Sequence, residues 1–158
     1  MRNSAEHPHG YFAKPETGKP ISGRVLLRLN HLPGTKLPGI WGVIFFWVRV
    51  SWYELLDDLL YVTPWGDEIR LNHGFKFNGG SIPWCFRWLY TPDDPDCLPG
   101  FAVHDELCTS HRYDSATTHR LLWHACLANG ARRTQANVIY WAVRVGGPCF
   151  CAEKRNGE

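Results

Sequence analysis

The chain has 158 residues, 20% of them charged, and its formal net charge is +2. A chain of this length buries one core, so we expect a single domain. The charge is too small to favour nucleic acid or an anionic membrane surface as a partner. The longest apolar run, 40–48, is about half as long as a membrane-spanning helix, so no transmembrane segment is predicted.

Residues 1–22 carry several His and Pro residues and show no hydrophobic periodicity. This pattern predicts an extended N-terminal arm that is ordered only against a partner. The polar start lacks the apolar core of a secretory signal, so we expect synthesis in a cytoplasm. The arm is followed by a single predicted domain at 23–148 and a C-terminal tail at 149–158.

Strand-like composition dominates the first half of the predicted domain. The segments concerned are 24–29, 40–50, 51–63, 68–72 and 75–77. Residues 55–60 are rich in Leu and also fit a helix by propensity. Together these segments predict an antiparallel sheet.

Helical patterns occupy the second half. Ser81 is a candidate N-cap for a short helix at 84–90, and longer helices are predicted at 98–110, 115–129 and 132–145. Asp114 or Ser115 can cap the second of these longer helices, and Asn129-Gly130 is its C-terminal stop. Strands followed by helices are typical of an α+β domain. We therefore predict an N-terminal antiparallel β-sheet followed by a bundle of three to four helices that contains an αα-hairpin.

A His-Asp pair stands inside the apolar run 102–108, AVHDELC. Burying two titratable neighbours costs several kcal/mol unless they are paired. If the two helices turn back near Arg112, His104 lies opposite His119 or Arg120. His104, Asp105 and His119 would then share one ion or one hydrogen-bond chain.

Imidazole and carboxylate groups suit zinc or another borderline divalent metal, which can activate water for hydrolysis. We predict His104, Asp105 and His119 as metal ligands, with Asn78 from the preceding glycine loop as a further oxygen ligand. Cys108 shares the face of His104 and is an alternative ligand. His104 or Asp105 could instead serve as the catalytic base. In the plain structural alternative, His104 and Asp105 satisfy each other while His119 is exposed.

Cysteine spacing argues against a zinc ribbon, because the six Cys residues include no C-x-x-C pair. The same hairpin geometry brings Cys97 level with Cys126, the best candidate pair for a disulfide in an oxidising compartment. Burial of each thiol as a small hydrophobic group is the alternative. His124 lies well round the helix from His119, and we predict that it faces solvent.

Four motifs in a fixed order carry a family resemblance. They are 74–83 (GFKFNGGSIP), 102–108 (AVHDELC), 118–122 (THRLL) and 140–144 (YWAVR). Over roughly 52–147 the chain resembles small proteins of tailed phages and prophages known as domain of unknown function 1353. It departs from the family pattern in having Asn78 for Asp, Cys108 for Tyr and His119 for Asp. Histidine can replace Asp as a metal ligand but not as the carboxylate that orients a catalytic His.

The family's arrangement is also similar to that of secreted phospholipases A2. In those enzymes a helical His is the base, the adjacent Asp and loop carbonyls hold calcium, and a partner Asp orients the His. The resemblance therefore implies calcium as an alternative to zinc. This chain has His119 in place of the third carboxylate, which implies impaired lipase chemistry.

Two main functions follow as hypotheses. The first is a phage-encoded, metal-dependent hydrolase that acts on the host envelope, with peptidoglycan or phospholipid as substrate and His104 and Asp105 as catalytic residues. The second is a non-enzymatic virion or tail component that docks to neighbouring virion proteins through the arm. In either case we expect the protein in the host cytoplasm during synthesis. The second hypothesis places it in the assembled virion, and an envelope hydrolase could also travel there. An intracellular modulator of host proteins is a third hypothesis.

Overall fold

Strands precede helices in the computed structural model, which describes residues 6–32, 52–78 and 94–146. The strands are β1 (Tyr11–Ala13), β2 (Leu29–Leu32), β3 (Trp52–Leu55), β4 (Leu59–Val62), β5 (Glu68–Leu71) and β6 (Lys76–Asn78). The helices are α1 (Leu98–Ser110), α2 (Ser115–Ala128) and α3 (Arg133–Gly146). The predicted α+β fold with N-terminal strands is confirmed.

The strands form two small antiparallel sheets rather than the one sheet predicted. One sheet has the order β1-β4-β5 and the other the order β2-β3-β6. Strands β3 and β4 follow each other in the chain but lie in different sheets, because the chain bends at 56–57 between them. Asp58 stabilises this connection by accepting a hydrogen bond of 2.6 Å from the backbone N–H of His73.

The predicted arm is partly built into the domain. Strand β1 pairs with β4, with Phe12 opposite Tyr61, and both side chains are buried. This segment is therefore ordered against its own chain, which differs from the prediction of an arm ordered only by a partner. The physical reason is burial of Phe12, a contact that a three-residue strand does not reveal through periodicity.

Most predicted strands and helices lie close to their observed positions. The strand predicted at 24–29 begins later, at Leu29. The segments at 51–63 and 68–72 contain β3 to β5, and the segment at 75–77 overlaps β6. Helix α1 has the predicted bounds, and α2 and α3 agree to within one residue at each end. The predictions for 40–50, for Ser81 with the helix at 84–90, and for the tail lie outside the described residues.

A tight connection turns α1 back on α2. Helix α1 ends at His111, whose left-handed backbone (φ 51°) lets its N–H donate to the carbonyl of Leu107. Asp114 then caps α2 by accepting a 2.7 Å hydrogen bond from the backbone N–H of Thr117. These two ends are only a few residues apart, so α1 and α2 pack as an antiparallel hairpin. This hairpin fixes which side chains of the two helices face each other.

The core lies between this hairpin and the two sheets. Helix α1 packs on β5 and β6, while α2 packs on α1, α3 and β1. Large side chains of the core come from both halves of the chain, among them Tyr61, Phe77, Phe101, Leu107, Leu121 and Ile139. No helix within the described ranges is long and apolar enough to cross a membrane.

Candidate functional site

His104 of α1 and His119 of α2 meet across the hairpin. His104 Nε2 lies 3.2 Å from His119 Nδ1, within hydrogen-bond distance. The ring centroids are 5.4 Å apart and the ring planes lie within 17° of parallel. The difference between these two distances is nearly the sum of the two ring radii. The two nitrogens therefore lie between the ring centres, and each points towards the other ring.

The outer nitrogens of both rings also have polar neighbours. His119 Nε2 lies 3.2 Å from Ser115 Oγ, one turn earlier on α2. His104 Nδ1 lies 3.7 Å from Asp105 Oδ1, which is longer than a hydrogen bond. We call Asp105, His104, His119 and Ser115 the hairpin histidine chain.

Asp105 is held in place from the strand side. Its Oδ2 accepts a 2.8 Å hydrogen bond from the backbone N–H of Asn78, the last residue of β6. This bond joins the end of the second sheet to the middle of α1. Asn78, which the sequence suggested as an oxygen ligand, thus contributes its main-chain N–H to the site.

The neighbours of the two rings favour one direction of hydrogen bonding. A carboxylate beside His104 Nδ1 favours a proton on that nitrogen, which leaves Nε2 as an acceptor. In that tautomer His119 Nδ1–H would donate to it, and His119 Nε2 would accept from the hydroxyl of Ser115. A hydroxyl that donates to a neutral imidazole has the relation of a nucleophile to its base.

Burial separates His119 from the other members. Its side chain is almost inaccessible, at 5% exposure, whereas those of His104 and Asp105 are 13% and 22% exposed. Burial lowers the pKa of His119 to about 4. His119 is consequently neutral at pH 7. The exposure of His119 that the plain alternative predicted is wrong.

The other predicted ligand on this face is Cys108. Its Sγ lies 3.8 Å from both ring nitrogens of His104, so it contacts the ring. Among the described residues, no three His, Cys, Asp or Glu side chains are arranged to hold a metal ion. His104 and His119 are the two predicted ligands whose donor atoms face each other directly.

Two further predictions concern α2. Cys97 and Cys126 do lie together, with Cys126 Sγ 3.9 Å from the carbonyl oxygen of Cys97, and both are buried free thiols. The prediction that His124 faces solvent is wrong. Its Nδ1 lies 3.2 Å from that of His9, because β1 carries the N-terminal segment across this side of α2.

Ser115 is the site residue that the sequence did not single out. The sequence pattern offered it only as a candidate helix cap, and Asp114 takes that role instead. The available signal was its spacing of four residues from His119, which places both side chains on one face of a helix.

A search of family patterns places the chain. A family described as "Protein of unknown function (DUF1353)" matches residues 53–143, more than half of the sequence. The chain belongs to this family. The DUF1353 match includes the whole hairpin histidine chain and leaves out His9.

Curated relatives of this DUF1353 chain are known from Sinorhizobium fredii (strain NBRC 101917 / NGR234). The uncharacterized protein y4jT is 30% identical over 105 residues, which are 65% of this chain and 31% of y4jT. The uncharacterized protein y4iH is 26% identical over 136 residues, 83% of this chain and 57% of y4iH. The chain thus spans less than two thirds of the length of either relative. No solved structure matches it.

Proposed function

We propose that this DUF1353 chain is a hydrolase whose nucleophile and base are Ser115 and His119. The observation that carries the proposal is the pair of 3.2 Å contacts within the hairpin histidine chain, from Ser115 Oγ to His119 Nε2 and from His119 Nδ1 to His104 Nε2. A nucleophile, a base and a group that orients the base are the parts that acyl transfer requires.

The reaction uses these groups in order. Ser115 Oγ attacks a substrate carbonyl carbon while its proton passes to His119 Nε2, and the proton then goes to the leaving alcohol or amine. Water hydrolyses the acyl-enzyme with the same base. His104 accepts the hydrogen bond of His119 Nδ1 throughout, and the negative charge of Asp105 stabilises the proton on His104 Nδ1.

Carbonyl substrates of the bacterial envelope agree with this chemistry and with the phage affiliation that the family resemblance implies. Both the acyl ester of a phospholipid and the peptide bond of peptidoglycan present the carbonyl that a serine attacks. In this proposal the protein is made in the host cytoplasm and acts on the envelope.

The experiment is a hydrolysis assay with a short-chain p-nitrophenyl ester and the full chain in chelator-treated buffer. Ser115→Ala and His119→Asn should each reduce kcat/KM by at least about 100-fold, since removal of a nucleophile or base removes the covalent route. Ser110→Ala is the matched control, because Ser110 is an exposed serine at the end of α1. Equal rates for Ser115→Ala and Ser110→Ala contradict the proposal.

A metal-dependent hydrolase is the second candidate, and the same N–N distance favours it. Two imidazole nitrogens bound to one tetrahedral zinc ion lie about 3.3 Å apart, close to the 3.2 Å between His104 and His119. In this alternative His104 and His119 would hold a divalent ion, zinc or calcium, with Asp105 and Asn78 in support, and the ion would supply activated water. Dialysis against zinc distinguishes the two, because a metal enzyme gains turnover with bound zinc while a serine hydrolase does not need it.

The proposed virion or tail role depends on a free arm. Residues 11–13 pair with β4 in this structure, so no contact of the described arm favours docking to a neighbour. Deletion of 1–13 distinguishes an arm that is part of the core from an arm that docks to a neighbour. If the arm is part of the core, loss of Phe12 should lower the melting temperature. A docking arm would instead leave that temperature unchanged.

A further inference from the structure

A second pair of histidines lies on another face of α2. His9, in the N-terminal segment, places its Nδ1 3.2 Å from Nδ1 of His124, 115 residues later in the chain. The two ring centroids are 5.4 Å apart. This pair joins the segment before β1 to the C-terminal half of α2, away from the hairpin histidine chain.

The backbone around His9 is held in this position. The buried hydroxyl of Tyr61 donates a 2.7 Å hydrogen bond to the carbonyl oxygen of His9. The next residue, Gly10, has φ +76° and approaches the carbonyl of Val62 so closely that a Cβ would collide with it. His9 therefore presents its ring to α2 from a fixed backbone, the preorganisation that a ligand site needs.

The outer nitrogens of this pair differ from those of the first pair. Asp105 and Ser115 lie beside the outer nitrogens of His104 and His119. In the described part of the chain, Nε2 of His9 and Nε2 of His124 have no hydrogen-bond partner. Each ring can therefore carry its proton on Nε2, and two Nδ1 lone pairs then face each other.

We propose that His9 and His124 form a binding site for a borderline divalent transition-metal ion such as Zn²⁺, Ni²⁺ or Cu²⁺. Imidazole nitrogens are preferred ligands of these ions. Two of them on one tetrahedral zinc ion stand about 3.3 Å apart, close to the 3.2 Å between the two Nδ1 atoms. Water would complete the coordination sphere.

The surroundings agree with a neutral pair of ligands. Burial lowers the pKa of His9, with a smaller contribution from the charge of Arg133. Burial also lowers the pKa of His124 to about 4, with smaller contributions from His9 and then Arg120. A metal binds the unprotonated imidazole. The indole of Trp123 meets both rings edge-on, at centroid distances of 5.3 Å from His9 and 4.9 Å from His124. This apolar wall limits the ways in which either ring can turn.

The bound ion would fasten the N-terminal segment to the helical hairpin. Because the metal contacts both segments only in the folded chain, its binding should also raise the melting temperature. The site does not depend on the proposed hydrolase, since the two pairs share no residue.

The test uses the full chain, without a histidine tag, in the His119→Asn background to remove the first pair. Zn²⁺ affinity is measured by competition with a chromophoric chelator, and Cu²⁺ coordination by electron paramagnetic resonance. We expect one zinc ion bound per chain in the competition assay. We also expect nitrogen hyperfine splitting in the copper spectrum. His9→Ala and His124→Ala should each weaken zinc binding roughly tenfold or more, as loss of a ligand does. His7→Ala is the matched control within the same segment and should leave the affinity unchanged.

A chain that binds no Zn²⁺ at tens of micromolar overturns the proposal, as does one that keeps its affinity in both His9→Ala and His124→Ala. Circular dichroism shows whether either variant loses the fold. If His9→Ala does, His9→Gln supplies the test from the same position, because Gln keeps the bulk of the side chain without the imidazole. Retained zinc affinity in His9→Gln also overturns the site.

Discussion

Ser115 and His119 lie one turn apart on α2, with the serine Oγ 3.2 Å from Nε2 of the imidazole. The other nitrogen of the same ring faces His104 across the hairpin. His119 is thus placed between a hydroxyl and a second histidine, and its own burial keeps it neutral. This position makes it the base of the proposed hydrolase and explains why its replacement should affect both stability and turnover.

The direction of hydrogen bonding within the hairpin histidine chain is measurable. We expect His104 and His119 both to carry their proton on Nδ1 at pH 7.5. Asp105 favours that proton on His104, and Nε2 of His104 then accepts a hydrogen bond from Nδ1–H of His119. Long-range ¹H–¹⁵N correlation spectra of chelator-treated protein report the tautomer of each ring. A proton on Nε2 of His119 contradicts the proposed role of this nitrogen as acceptor from Ser115.

The stability of the fold should depend on pH through His119. Its pKa is lowered to about 4 in the folded chain from 6.5, so the unfolded chain binds more protons between these values. The stabilisation is fully present above pH 6.5 and is lost as the pH falls towards 4. The loss should be roughly 1–3 kcal/mol.

Urea unfolding between pH 4 and 7.5 measures this dependence. His119→Asn should flatten the slope over this range, while His73→Asn, at an exposed position, should leave it unchanged. An equal slope in His119→Asn and in the unmodified chain contradicts the assignment. His124 contributes in the same direction, so a residual slope is expected.

Asn129 should be essential for stability. Its buried side chain accepts a 2.6 Å hydrogen bond from the N–H of Val25 and donates to the carbonyls of Pro95 and Asp96 at 3.1 and 3.2 Å. Asn129→Asp keeps the shape but replaces the donor with an oxygen, leaving those carbonyls unpaired. We expect a loss of about 2–4 kcal/mol in the free energy of unfolding.

Denaturant unfolding measures that loss, with the exposed Asn72→Asp as control. Asn72 lies at the end of β5 and is exposed, so its substitution should change the free energy by less than about 0.5 kcal/mol. A similar, small effect in both variants would show that the hydrogen bonds of Asn129 contribute little.

The close approach of α1 and α2 depends on Gly100. A Cβ at this position would lie 2.7 Å from Cys126 Sγ and 3.3 Å from its backbone nitrogen. Gly100→Ala should therefore cost about 1–3 kcal/mol despite the better helix propensity of Ala. Cys126→Ala removes the sulfur, so in a double-mutant cycle the two substitutions should be less destabilising together than the sum of their separate effects. Additive effects would contradict the contact.

Local signals were enough to predict the hairpin. The apolar run around His104, the turn near Arg112 and the Asn129–Gly130 stop define two helices whose lengths place His104 opposite His119. These signals come from residues close together in the chain, and the structure has both helices at nearly the predicted bounds.

The remaining features depend on contacts between distant segments. Strand β1 has three residues, and its pairing with β4 spans about fifty positions. Hydrophobic periodicity therefore cannot predict this pairing. The contact between His9 and His124 follows from that pairing and was invisible for the same reason. The role of Ser115 was hidden differently, because a serine at the start of a helix already has an explanation as a cap.

Covalent labelling of Ser115 tests the central claim most directly. A fluorophosphonate reacts with a serine hydroxyl only when a neighbouring base activates it, and peptide mass spectrometry identifies the modified residue. We expect stoichiometric modification of Ser115 in the chelator-treated protein, with loss of labelling in His119→Asn and no labelling of Ser110. An unmodified Ser115, or labelling that persists at the same rate in a folded His119→Asn variant, would contradict the account.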